Sequence, residues 1–95
     1  MVKSQATVKA STPARTIARL SNHFKHRVTV ARSGDDAVFE FQDTARCDLR
    51  AGEGSIDLEL AARDAEVLAR IEDVVARHLK QVAVPEELEV NWIRS

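Results

Sequence analysis

Between Arg27 and Leu60 the chain alternates apolar and polar residues in four consecutive stretches, and this run constrains the fold more than any other feature. Val28 and Val30 share one side of the first stretch, Arg27 to Arg32. Ala37, Phe39 and Phe41 then alternate with Val38, Glu40 and Gln42; Ala45, Cys47 and Leu49 with Arg46, Asp48 and Arg50; Ile56, Leu58 and Leu60 with Asp57 and Glu59. A period of two sends successive side chains to opposite faces, so each stretch predicts a strand with one buried and one wetted face. The breaks are short. Ser33-Gly34-Asp35-Asp36 is turn chemistry, and the glycine-rich linker Ala51-Gly52-Glu53-Gly54 predicts a hairpin. Four such strands in a row predict an antiparallel sheet covered on one face only.

The cover has to come from the flanks. Gln5 to Ala10 alternates, with Ala6, Val8 and Ala10 on one side, and predicts a further strand. Thr12 before Pro13 predicts a helix start, because a hydroxyl can cap free backbone N–H groups and proline is tolerated in the first turn. Ile17, Leu20 and Phe24 recur at the spacing of one buried helical stripe, and this helix is expected to end near His23 to His26. Asp64 is the expected N-cap of a second helix, with Glu66 in its first turn and Arg77 and Lys80 in its last. Leu68, Ile71, Val75, Leu79 and Val82 form its stripe, and Pro85 stops it. Leu88, Val90 and Trp92 alternate with Glu89, Asn91 and Ile93, which predicts a last strand at the sheet edge. The expected order is β-α-β-β-β-β-α-β: an α+β domain over residues 1–95, with two helices on one face of an antiparallel sheet.

Size and charge narrow the function classes. Ninety-five residues with two prolines and three glycines provide for one compact core. The single cysteine cannot form an internal disulfide. No apolar run approaches the ~20 residues that span a bilayer, and the N-terminus lacks the apolar segment of a secretory signal. Its Ser/Thr/Arg-rich, acid-free start resembles a transit peptide, yet the same residues parse as a strand and a capped helix. A cytoplasmic protein without membrane attachment is the expectation. Net charge is −1, but residues 1–32 carry +7 and the remainder −8. Either the two halves interleave in space and neutralise one another, or Arg19, Lys25 and Arg27 belong to a basic face for an anionic ligand. A nucleic-acid partner is not expected: the chain is not basic overall, and three Phe and one Trp make no stacking platform.

Candidate chemistry is confined to three histidines and Cys47. His23 and His26 lie three apart, so on a continuing helix they share a side, about 60° from each other. His78 falls by helical phase beside Ile71 and Val75, at the margin of the second stripe. If His23, Cys47 and His78 converge, with His26 as a further donor, ligand softness points to zinc, iron or copper. The structural alternative is equally concrete. His23 would complement the helix C-terminus, His26 would stand in solvent, and Cys47 would pack as a small hydrophobe with Ala45 and Leu49. On the wetted sheet face, a simple four-residue hairpin puts Arg46 opposite Glu59 and Asp48 opposite Asp57. That like-charged pair invites a cation unless Arg46 and Arg50 compensate or the register differs.

Three function classes follow. The first is a non-enzymatic binding or accessory domain for a metal ion, a ferric chelate or other small ligand, or a partner protein. The second is a small enzyme with His23 or His26 as general base and Cys47 as nucleophile. Against it, no Gly-flanked Ser or Cys elbow and no H-E-x-x-H motif is present. The third is a homodimerisation module in which Trp92 and Ile93 on an edge strand continue the sheet across a two-fold axis.

This order, with His23-Phe24-Lys25-His26, Cys47-Asp48-Leu49, and Asp64-Ala65-Glu66 through Arg77-His78-Leu79, resembles a bacterial family of small domains known as domain of unknown function 2218. The resemblance covers nearly the whole chain. Members of that family look like free-standing proteins or neighbours of siderophore-interacting flavoproteins, which implies a role near iron acquisition. The topology is also similar to that of TATA-binding-protein-like domains, including the C-terminal domain of phosphohexomutases. Fold likeness of this kind does not carry function. The phosphate-gripping Ser/Thr-Gly loop of the mutases has no match here, and neither does a G-x-G-x-x-G dinucleotide fingerprint.

Overall fold

The computed structural model describes residues 1–42 and 44–95. Among these the elements run β1 (Val2–Lys9), α1 (Pro13–Phe24), β2 (Thr29–Ser33), β3 (Asp36–Phe41), β4 (Ala45–Ala51), β5 (Ser55–Ala62), α2 (Ala65–Ala83) and β6 (Ile93–Arg94). The strands form one antiparallel sheet in the order β2-β3-β4-β5-β1-β6. Fold class and order of elements are those the alternation predicts. Both helices lie on one face, over a core that includes Val8, Phe39, Cys47, Leu49, Leu58 and Leu60.

Each helix is placed by its apolar stripe. Ile17, Leu20 and Phe24 of α1 are buried, and Ser21 joins them by donating its hydroxyl to the Ile17 carbonyl at 2.7 Å. In α2 the buried set includes Leu68, Ile71, Val75 and Leu79, while Val82 is only half-buried. Asp64 caps α2 as expected: its carboxylate accepts the Val67 N–H at 2.8 Å. Arg77 does not reach the last turn of α2 and instead faces Asp73 at 3.8 Å, one turn back. Arg19 of α1 reaches the Val82 carbonyl at 3.5 Å, and His23 of α1 meets His78 of α2. Four residues forward on one helix thus match four residues back on the other, so the helices cross the sheet antiparallel.

Four expectations need correction. β1 begins at Val2, because Val2 and Lys3 find partners in Ala62 and Ala61 of β5. Thr12 makes no side-chain cap; its backbone carbonyl accepts the Thr16 N–H at 3.0 Å, and Pro13 opens the helix. In the β4–β5 hairpin Arg46 faces Ala61, Asp48 faces Glu59 and Arg50 faces Asp57, two residues away from the simple register. The cause is the turn. Gly54 adopts φ +74°, a conformation open to glycine, and Gly52 N–H bonds Ser55 O at 2.8 Å, which centres the reversal between Glu53 and Gly54. Finally, Leu88 is buried and Val90 and Trp92 are half-buried, but they pack as an irregular segment; only Ile93 and Arg94 pair, with Gln5 and Ser4 of β1.

Among the described residues no helix is long and apolar enough to cross a membrane.

Candidate functional site

The imidazoles of His23 and His78 come together where the last turn of α1 passes the C-terminal half of α2. Their ring centres are 4.9 Å apart and the planes are tilted by 43°. His23 is exposed and His78 half-buried, so the pair lies at the outer edge of the helix layer. His78 Nδ1 is 2.6 Å from the carbonyl oxygen of Val74, one turn earlier in α2. A carbonyl can only accept, so Nδ1 carries a proton and Nε2 is the nitrogen open to a metal. Metal-bound histidines are commonly oriented in this way, by a backbone carbonyl on the other ring nitrogen.

Phe24 supports the pair from below. Its ring centre is 5.6 Å from His23, 5.1 Å from His78, 5.2 Å from Phe39 and 5.9 Å from Phe41. Cys47 faces Phe39 across the β3–β4 ladder and is 0 % exposed. The thiol therefore belongs to the aromatic and aliphatic core beneath, and burial, with a smaller contribution from the Asp48 charge, pushes its pKa far above the usual thiol range. His26 is exposed in the turn between α1 and β2. The structure thus brings His23 and His78 together and places Cys47 and His26 elsewhere; among the described residues no group of three or more His, Cys, Asp or Glu could hold a metal.

The residues of the expected basic face occupy neighbouring positions in the same half of the chain. Arg19 is exposed one turn before His23, Lys25 caps α1 with its N–H on Ser21 O at 2.9 Å, and Arg27 is exposed in the following turn.

The wetted sheet face carries a groove of about 480 Å³, lined by Gln5, Thr7, Asp48, Arg50, Asp57 and Glu59 with Asn91 and Ile93 at its rim. Its polar lining sets the carboxylates of Asp48, Asp57 and Glu59 among Gln5, Thr7, Arg50 and Asn91. Asp48 and Glu59 are directly opposed, yet Arg46 Nη2 lies 3.2 Å from Asp48 Oδ1 and the Thr7 hydroxyl donates to Asp57 Oδ1 at 3.0 Å. Arginine compensation on the sheet face is therefore present, in a register different from the simple one.

Sequence reading missed Glu72. It sits in phase with Leu68, Val75 and Leu79 in α2 and is buried with them, where its carboxylate receives Arg94 at 2.7 and 3.3 Å. Burial pushes the Glu72 carboxyl up, but the hydrogen bonds and charge of Arg94, with a smaller contribution from Ser4, outweigh it and hold the pKa below the usual glutamate value. Ser4 Oγ, buried on β1, has no hydrogen-bond partner among the described residues. A glutamate at an apolar helical phase was the signal, and it needed a partner from the far end of the chain to be read.

The fold and the site together define a two-layer α+β domain with an imidazole pair on its helix surface. The chain belongs to the family described as uncharacterized protein conserved in bacteria (DUF2218), whose sequence profile matches residues 5–93. Among solved structures it is similar to that of PA4090 from Pseudomonas aeruginosa, determined by NMR, at 31% sequence identity and a TM-score of 0.81, over 98% of this chain and 96% of that one. No match arises among curated proteins.

Proposed function

We propose that this domain is a non-enzymatic binding or accessory module whose ligand is a transition metal held at His23 and His78. The observation that carries the reading is their 4.9 Å ring separation, with His78 oriented by the Val74 carbonyl. With Zn–N near 2.1 Å and tetrahedral angles, two imidazoles on one zinc have ring centres roughly 5 Å apart. Imidazole also suits copper and iron, so the metal is one of these three. The iron-handling role implied by the family resemblance fits the same geometry, with a ferric chelate using the two nitrogens to fill open coordination positions. An enzyme built on Cys47 is disfavoured on physical grounds: a nucleophile must reach its substrate as thiolate, and this thiol is enclosed and held protonated.

Equilibrium dialysis of the untagged protein against Zn2+ and Cu2+ tests the proposal. His23→Ala and His78→Ala should each lower affinity at least tenfold, and His26→Ala should not. Arg19→Ala, which removes a positive charge one turn from the pair, should leave metal affinity equal or higher. If wild type and both histidine variants take up metal equally, the proposal fails. If metal uptake is absent and Arg19→Ala instead weakens the binding of inorganic phosphate, the basic surface is the site.

A further inference from the structure

We infer that the imidazole pair is half of a metal site, and that a second copy of this chain supplies the other half. The inference rests on the metal reading above and goes one step past it. A structural zinc takes four protein donors in a tetrahedron. The seam between α1 and α2 offers two, and the described residues bring no third His, Cys, Asp or Glu to them. A two-fold axis through the metal duplicates the pair: His23 and His78 of one protomer close two positions, and the partner's copies of the same two residues close the others. Cyclic two-fold pairing is the commonest arrangement of soluble homo-oligomers, and it makes such an interface self-complementary.

The location allows this. His23 is exposed and His78 beside it is half-buried, and among the described residues no further layer of secondary structure covers the two helices. Zinc bridging needs only close approach at the seam, because the metal supplies bonds that a small contact area would not. That matters here, since the large hydrophobic side chains exposed among the described residues are Met1, Val84 and Ile93, and none of them lies within α1 or α2. Without an apolar patch at the seam, association there depends on the metal. Positive charge opposes it. Arg19, one turn before His23 with its guanidinium at the Val82 carbonyl, and Lys25 and Arg27 just after His23 repel a cation held at the seam, so the bridge tightens as salt screens them.

The bridge differs from the edge-strand dimer expected from Trp92 and Ile93. An edge-strand dimer continues the sheet in the absence of metal and is indifferent to His23 and His78. A bridged dimer forms only with zinc.

The test is sedimentation velocity and calorimetric titration of the untagged full chain, first in EDTA and then with Zn2+. The expected result is a monomer in EDTA, a doubling of mass at one zinc per two chains, and return to monomer when EDTA is restored. His23→Ala and His78→Ala should remain monomeric with zinc, and His26→Ala should dimerise like the wild type; far-UV circular dichroism of each variant confirms folding. One zinc per chain without a change in mass would overturn the bridge and leave the metal reading standing. No zinc uptake at all would overturn the bridge, and no uptake of Cu2+ in the dialysis either would overturn the metal reading with it; a dimer of equal mass in EDTA would overturn the bridge in favour of a metal-independent interface. The wild-type comparison in EDTA and zinc decides the matter even if a histidine variant fails to fold.

Discussion

Phe24 decides which of the candidate donors can meet. It contacts both imidazoles on one side and Phe39 and Phe41 on the other, so the ring closes the core beneath His23 and His78 while Cys47 stays in the layer below. Strand parity alone placed Cys47 on the apolar face, and its burial follows from the alternation of Ala45, Cys47 and Leu49. The meeting of His23 with His78 had no local signature, because it depends on two helices far apart in sequence crossing antiparallel. At this scale the consequence is chemical inertness. Native protein should react with a thiol reagent only on unfolding, since neither access nor thiolate is available while the core is closed. Cys47→Ser should cost about 1–3 kcal/mol in urea denaturation, by burying a hydroxyl with no partner among Phe39, Leu49 and Leu60. Rapid labelling of the folded protein, or a neutral Cys47→Ser, would contradict this account of the core.

At the scale of elements, the strands were legible where alternation and pairing coincide and illegible where they part. β3, β4 and β5 alternate because the same face packs on the helices and the same backbone pairs laterally. Leu88, Val90 and Trp92 alternate too, but there the pattern records packing of an irregular segment against the core, and pairing begins only at Ile93. Register escaped for a different reason: it turns on whether Gly52 or Gly54 takes the left-handed conformation, and both are glycine. The short β6 is held by more than its ladder. Arg94 reaches across to Glu72 of α2, and the depressed Glu72 pKa gives the tether a pH signature. A carboxyl whose folded-state pKa is lowered stabilises the folded form fully above its ordinary range, and that contribution is lost as pH falls through the lowered value. Trp92, half-buried two residues before Arg94, reports the change. Its fluorescence should hold steady from neutral pH down to the ordinary glutamate range and shift below it. Glu72→Gln and Arg94→Ala should show the shifted signal already at neutral pH; unchanged titrations in both would remove the tether from the account of β6.

For the molecule as a whole, the question is what a ligand at the α1–α2 seam would do to the folded state. α1 links β1, one strand in from the β6 edge, to the far edge strand β2, whereas α2 links β5 to the edge at β6. A metal shared by His23 and His78 would therefore cross-link two connections that otherwise meet through packed side chains and the contact of Arg19 with the Val82 carbonyl. The unfolded chain has no such pair in place, so zinc held there would bind the folded form preferentially and stabilise it by linkage. At free zinc about 100-fold above Kd this amounts to about 2.7 kcal/mol, or a rise in Tm on the order of 10 °C for a domain of this size. Bridging adds a second dependence. If two chains share the ion, Tm in zinc should climb with protein concentration, while Tm in EDTA should not. Thermal scans of wild type, His78→Ala and His26→Ala at two concentrations measure both effects. The wild type and His26→Ala should gain the zinc increment and its concentration dependence, and His78→Ala should lose both. An increment that survives in His78→Ala would mean that zinc stabilises the fold from somewhere other than this seam.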